Sequence, residues 1–239
     1  SQDIILNTNT ITSSASSTDI ILRAKRDITT QTNDTSSLSV TTAGGNILFT
    51  SDTDDSNGGG ILILGGTVID SNGGDITFAG GDASGSGYAT GRSVASSGWY
   101  IQGLRIDGTE SNSVDIDSDG GNIIMRGKTS NNNGTGTYIT NGNGGAGLSY
   151  FGNIDINSGT GTLYLEGQSY TYNSIYSAGI NLGLRDSSYT FNLSSSNTTS
   201  NAIRIVGNHH INQTGGYTYG LTAFQAGTIQ AIASGGGIR

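Results

Sequence analysis

The chain has 239 residues, enough to bury a large core as one domain, and no composition shift or proline-rich linker divides it. It carries a formal net charge of -8 with only ten Lys and Arg, which disfavours nucleic acid and anionic membrane as partners, since both need clustered cations. With no cysteine, disulfides and thiolate metal sites are excluded, and no stretch has the length of a transmembrane helix.

From the amino terminus, SQDIILNTNT has neither the basic start nor the apolar core of a signal peptide, so any export signal is expected outside this chain. Ile4 reads as the point where a strand resumes after a turn. A loose strand-turn-strand copy runs from Ile11 to Ile20, and RAKR, Arg23 to Arg26, reads as a solvated strand end. The frame then sharpens. Leu38 and Val40 alternate with polar residues, Gly44 and Gly45 mark a turn, and Ile47 resumes the strand. The same frame recurs at Ile69, Gly73, Gly74 and Ile76, at Val114, Ile116, Gly120, Gly121 and Ile123, and at Ile154, Ile156, Gly159, Gly161 and Leu163. In each copy seven residues separate the last inward residue before the turn from the first one after it. Glycine belongs at the bend because it reaches positive φ without steric cost. A copy with an expanded turn places Leu193 ten residues before Ile203, and IQAIASGGGIR closes the chain with Ile229, Ala231, Gly235, Gly236 and Ile238 in the positions of Val114, Ile116, Gly120, Gly121 and Ile123.

Residues that follow the turn therefore fall at Ile4, Ile20, Ile47, Ile76, Ile123, Leu163, Ile203 and Ile238, with separations from 16 to 47. A propeller or helical repeat keeps a nearly constant period, whereas a stack of β-coils tolerates insertions at its corners. The sequence thus predicts an all-β chain, a parallel β-helix (β-solenoid) with loop insertions, in which Ile, Val and Leu form inward ladders. A β-sandwich is the competing architecture, but it has no need of one turn frame six or more times. Insertions gather near 80–103 and 128–150, too long and Gly-rich for simple corners and expected as loops on one side of the solenoid. Residues 1–239 are expected to form a single β-solenoid segment. Because neither end reads as a capping element, the segment is expected to belong to a longer repeat array or to be completed by neighbouring subunits.

Turns of the type GGNI, GGDI and TGTL after an alternating strand, with loop-bearing insertions and no cysteine, resemble the repeat region of filamentous-haemagglutinin-like exoproteins of Gram-negative bacteria. The resemblance covers most of the chain. It implies a right-handed parallel β-helix, export by two-partner secretion, an extracellular or outer-surface location, and a role in adhesion or surface filaments. Partners would be surface glycans or proteins of a host or neighbouring cell, and other copies joined end to end.

Several constellations invite a chemical reading. Asp115, Asp117 and Asp119 alternate along one strand, so they project from one face about 6.6 Å apart, and paired carboxylates suit acid and base in polysaccharide cleavage. A solvated sheet face predicts the same pattern, and no Lys or Arg is near in sequence. In SDTDDSNGG, Asp52, Asp54 and Asp55 place oxygen ligands together and resemble a calcium loop loosely, although the EF-hand Glu is missing. Ca2+ is the one cofactor this suggests; a metal-free turn is the other reading. The only histidines, His209 and His210, point to opposite faces if they lie on a strand, and no acid is placed to orient either in a hydrolase triad. Trp99 and Tyr100 in the long insertion, with Tyr170, Tyr172 and Tyr176, are the candidate contact residues, since aromatics on polar loops stack on sugars or anchor proteins; covering the end of an apolar ladder is their alternative role. Sequons at Asn33, Asn133, Asn192, Asn197 and Asn212 follow from Asn and Thr richness alone. The leading expectation is a non-enzymatic structural or adhesive segment. A β-helical polysaccharide-cleaving enzyme is the alternative, and an ice-binding solenoid lacks the regular Thr ladder it would need.

Overall fold

A computed structural model describes residues 2–7, 10–31, 37–56, 58–92, 102–129, 146–169, 176–183, 189–209, 217–224 and 228–239. The first circuit of the chain is β1 (Ile4–Asn7), β2 (Thr10–Ser16) and β3 (Ile20–Arg23), and the second is β4 (Ile28–Gln31), β5 (Leu38–Ala43) and β6 (Ile47–Ser51). A third circuit, β7 (Ile61–Leu64), β8 (Thr67–Asp70) and β9 (Ile76–Gly80), is followed by the two-residue β10 (Ala89–Thr90). The fourth holds β11 (Leu104–Asp107), β12 (Val114–Asp117) and β13 (Ile123–Lys128), and the fifth β14 (Ala146–Phe151), β15 (Ile154–Asn157) and β16 (Leu163–Ser169). β17 (Tyr176–Gly183), β18 (Thr190–Ser195) and β19 (Ile203–His209) complete a sixth circuit, and β20 (Tyr217–Phe224) with β21 (Thr228–Ala233) begins a seventh.

Each circuit places one strand in each of three sheets, and every pairing between these strands is parallel. The first sheet runs β1-β4-β7-β11-β14-β17-β20, the second β2-β5-β8-β12-β15-β18-β21, and the third β3-β6-β9-β13-β16-β19, with β10 added beside β13. This is the all-β parallel β-helix predicted from the repeat. A sandwich is ruled out by the pairing, since sandwiches are built from antiparallel sheets.

The repeat frame is the register. In the second sheet Ile11, Val40, Ile69, Ile116, Ile156, Leu193 and Ala231 form one ladder. In the third, Ile20, Ile47, Ile76, Ile123, Leu163 and Ile203 form another, extended by a bridge from Ile203 to Ile238. Ile4 is the exception: it pairs with Ile28 in the first sheet. The frame misled because an acid before a β-branched residue also marks the corner into the first sheet, where Asp3 precedes Ile4 as Asp27 precedes Ile28. That corner also accounts for the basic run: the Arg26 guanidinium is forked onto Asp3, and Arg92 reaches Asp27 at 2.6 Å, so RAKR is partly a clamp between circuits rather than a wholly solvated strand end.

Alternation along each strand supplies the core. In β16 every second residue from Leu163 to Ser169 is buried, and Ile123, Met125, Leu163, Leu165 and Ile203 have no solvent exposure. Each such side chain contributes about 1.5–3 kcal/mol on leaving water. Phe49 and Phe78 stack one circuit apart with ring centroids 5.2 Å from each other. In the last circuit Leu221, Ile229 and Ile238, one inward residue per sheet, are 41–50% exposed.

Between the second and third sheets the turn is built from three stacked devices. Its two glycines have different reasons. Gly73 and Gly120 adopt φ of 107° and 123°, which disfavours any side chain, whereas a Cβ on Gly74 or Gly121 would run into the backbone carbonyl of the glycine one circuit below, Gly45 or Gly74. Just before them, the buried hydroxyls of Thr42, Ser71, Ser118 and Ser158 donate to the carbonyls of Gly45, Gly74, Gly121 and Gly161 at 2.5–3.0 Å, closing each turn. Just after them, one side chain links circuits. The Asn46 N–H donates to Asp19 (2.7 Å), Asp75 N–H to Asn46 (2.8 Å), Asn122 N–H to Asp75 (2.7 Å) and Thr162 N–H to Asn122 (3.0 Å), so each Asx oxygen satisfies a donor that the sheets leave free.

Both insertions fall at the third-to-first corner, the first between β9 and β11 and the second between β13 and β14; the second is shorter than the 128–150 expected, because 146–150 belong to β14 and pair with β11 and β17 in the first sheet. Residues 81–92 of the first one fold back over the outer face of the third sheet. Gly85 lies against Leu48 and Thr77, the Arg23 Nε donates to the Ala83 carbonyl at 2.8 Å, Thr50 donates to the Asp82 carbonyl at 2.6 Å, and β10 adds its two residues beside Gly127 and Lys128.

Candidate functional site

The carboxylates singled out in the sequence lie on the outer face of the second sheet. Asp115 and Asp117 alternate with buried Val114 and Ile116 on β12, as a half-solvated strand requires. Stacking adds acids that the linear sequence keeps apart: Asp155 is the register partner of Asp115, and Asp70 that of Asp117. Like charges directly opposite one another are unfavourable. The Asp155 carboxyl is accordingly held above the usual carboxylate range, by partial desolvation among its neighbours and then by the negative charge of Asp115 and Asp117. Local donors take up part of the charge. Asp115 accepts from the Ser113 hydroxyl (3.1 Å), and Asp117 accepts from Asn157 Nδ2 (3.1 Å) and from the Asp119 N–H (2.8 Å). Asp119 itself is exposed in the turn at φ 48°, off the strand, so the sequence reading of three carboxylates on one strand face is corrected to two.

Asp52, Asp54 and Asp55 do not converge either. Asp54 and Asp55 are exposed, whereas Asp52 is 1% exposed at a φ of 52°. Burial pushes the Asp52 carboxyl above its ordinary range. The nearby Thr90 hydroxyl donates to the Tyr88 carbonyl at 3.1 Å, which leaves neither carboxylate oxygen of Asp52 with a hydrogen bond. Among the described residues no three His, Cys, Asp or Glu side chains come together as a metal-holding group.

Trp99, Tyr100, Tyr170 and Tyr172 lie outside the described residues, as does His210. Tyr176 opens β17, in register with Tyr217 of β20, and His209 closes β19.

A more connected polar cluster sits on the outer face of the third sheet and was not anticipated. Glu166 of β16 accepts from both Tyr88, in the folded-back insertion (2.6 Å), and Tyr164 (2.7 Å). Gln168 donates to the Tyr88 hydroxyl at 2.6 Å, and Arg126 of β13 donates to the Ser86 carbonyl at 3.0 Å with its Nε 3.6 Å from Glu166. From the strands on either side, Arg126 and Arg204 approach the Tyr164 ring, at 5.5 and 5.0 Å from its centroid. Desolvation, then the hydrogen bond to Glu166 and its charge, push the Tyr88 hydroxyl well above the ordinary phenol range and raise that of Tyr164, so both act as donors at any ordinary pH. The signal for this cluster was present: aligning Ile123, Leu163 and Ile203 puts Arg126 beside Glu166 and Tyr164 beside Arg204 in adjacent outward rows. The contribution of Tyr88 had no such signal, because the insertion has no repeat to align.

No known protein family matches the chain, and no curated protein or solved structure matches it.

Proposed function

We propose that the chain is a non-enzymatic structural and adhesive segment of a secreted bacterial surface protein of the filamentous-haemagglutinin-like kind. The observation that supports this reading is the continuity of three parallel ladders through successive circuits, with the two long insertions at the same corner. Stacking of this type supplies stiffness from backbone hydrogen bonds while a corner carries variable loops, which suits a spacer that displays contact residues. The aromatics Trp99, Tyr100, Tyr170, Tyr172 and Tyr176 are the proposed contacts with glycans or proteins of other cells, acting together through weak multivalent binding. Binding of the chain to intact cells and to a glycan array tests the reading. Replacing the five aromatics by alanine is expected to abolish binding; unchanged binding refutes their role, and no binding by the parent chain refutes the adhesive reading.

One observation favours a second reading, a polysaccharide-cleaving enzyme. Asp115 and Asp155 are opposed across neighbouring strands, about 4.8 Å apart by strand spacing, and partial desolvation with the neighbouring negative charge raises the Asp155 carboxyl above the usual carboxylate range. Reducing-end release from acidic and neutral polysaccharides, lost in Asp115→Asn and Asp155→Asn, would establish it.

A further inference from the structure

The three faces differ in charge. Strands of the second sheet carry Asp70, Asp115, Asp117 and Asp155 and neither Lys nor Arg. Those of the third sheet carry Arg23, Arg126, Lys128 and Arg204 against Glu166 alone. The first sheet holds one of each, Arg105 and Asp107, already joined at 2.7 Å. A chain with a net charge of -8 therefore presents one cationic face and one anionic face.

We propose that these two faces pair between copies of the chain, the second sheet of one lying side by side on the third sheet of the next. Both charged patches span three successive strands. The acids lie on β8, β12 and β15; of the cations, Arg23 and Arg126 are bonded to the folded-back insertion, which leaves Lys128 on β13 and Arg204 on β19, either side of β16. Strands in both sheets repeat once per circuit, about 4.8 Å apart, so Lys128 and Arg204, two circuits apart, match the separation of Asp70 on β8 and Asp155 on β15 when two copies lie parallel. In the lone chain Asp115 faces Asp155 and Asp70 faces Asp117, like charges opposed across neighbouring strands that local donors offset only in part. A neighbouring guanidinium relieves this repulsion. On the other side, Arg204 is exposed and is held in place by the Tyr164 ring, so its fork is presented with little loss of freedom. A second copy fits better than nucleic acid, which the overall negative charge repels. Because the two faces are different surfaces, each contact leaves a free face of either kind and the assembly grows as an open ribbon.

Exposed ion pairs are individually weak and screened by salt, so association is expected at high protein concentration and low ionic strength. Sedimentation velocity at 20 mM and 500 mM NaCl tests the proposal, using the parent chain, Asp115→Asn/Asp117→Asn/Asp155→Asn, and Lys128→Glu/Arg204→Glu. The parent is expected to show mass rising with concentration only at low salt. Each variant alone is expected to be monomeric, while an equimolar mixture of the two gives dimers and nothing larger, because each supplies the face the other lacks. Unchanged circular dichroism and Tm of the variants separate lost pairing from lost folding. A parent chain that stays monomeric at low salt overturns the proposal, as does association that survives in either variant, which would locate the contact at the ends of the stack. Cell or glycan binding is measured on the same variants; the adhesive reading predicts that it persists, so the two ideas fail separately.

Discussion

Gly121→Ala is the perturbation that most directly strains the stacking of circuits. The Cβ it introduces would overlap the Gly74 carbonyl, which belongs to the turn one circuit below, and would crowd the Asp75 backbone nitrogen behind it. Neither atom is a flexible side-chain end, so the two turns must separate. The Asn122 N–H to Asp75 link at 2.7 Å and the Ser118 to Gly121 closure at 2.6 Å lie within a residue or two of the contact and lengthen with it. Overpacking of this kind costs about 1–3 kcal/mol, and a weakened hydrogen bond adds about 0.5–1.5 kcal/mol. For a chain of this size each kcal/mol moves Tm by about 2–4 °C, so a fall of roughly 3–18 °C is expected. Gly73→Ala is the internal control. Nothing lies within 4 Å of its Cβ, and its only cost is the φ of 107°, so it should lose clearly less. Differential scanning calorimetry on both, with hydrogen exchange at the amides of Ile76 and Ile123 to localise the damage, provides the comparison. Equal stability of Gly121→Ala and the parent chain would refute the reasoning.

Other outcomes follow from single features of the structure. Phe78→Ala removes one of two stacked rings from a fully buried position and should cost about 3–5 kcal/mol in urea unfolding; a loss under 1 kcal/mol would mean that the ring is not in the core. Burial raises the Asp52 carboxyl, so its charged form is disfavoured in the folded state and stability is lost as pH rises from the unfolded value of 3.8 through the raised folded one. Asp52→Asn should therefore flatten the stability profile over that window and stabilise the chain at neutral pH, and an unchanged profile contradicts the assignment. Glu166→Gln removes the anionic acceptor shared by Tyr88 and Tyr164 and should release the folded-back segment, read as faster limited proteolysis between residues 81 and 92. A cleavage rate equal to that of the parent chain would show that the segment is held by other contacts.

The fold was legible where residues recur. Val40, Ile69, Ile116 and Ile156, each seven residues before its partner across the turn, gave the register of two sheets because a parallel stack repeats the same inward position in every circuit. The first sheet left no such trace. Its strands are short runs such as ILIL and LRID, and the corners flanking them differ from circuit to circuit, so Ile4 was placed in the wrong ladder. The acidic site was half legible. Asp115 and Asp117 are adjacent in sequence, but Asp155 and Asp70 join them only through stacking across about forty residues on either side. Asp119 was misread because the strand ends at Asp117 and the turn begins. Asp52 was read together with Asp54 and Asp55 as one calcium-like or metal-free turn, whereas Asp52 is buried at a φ of 52° and its two neighbours are exposed.

Because the chain has no cysteine, engineered cysteine pairs report register without interference. Asp155 and Asn192 are register partners on adjacent strands of the second sheet, while Asp115 and Asn192 lie two circuits apart. Adjacent partners fall within the Cα separation of about 4.4–6.8 Å that a disulfide spans, and positions two circuits apart fall beyond it. Mild oxidation of Asp155→Cys/Asn192→Cys should give an intramolecular disulfide, and Asp115→Cys/Asn192→Cys should remain reduced; cross-linking of the second pair, or failure of the first, would contradict the stacked circuits.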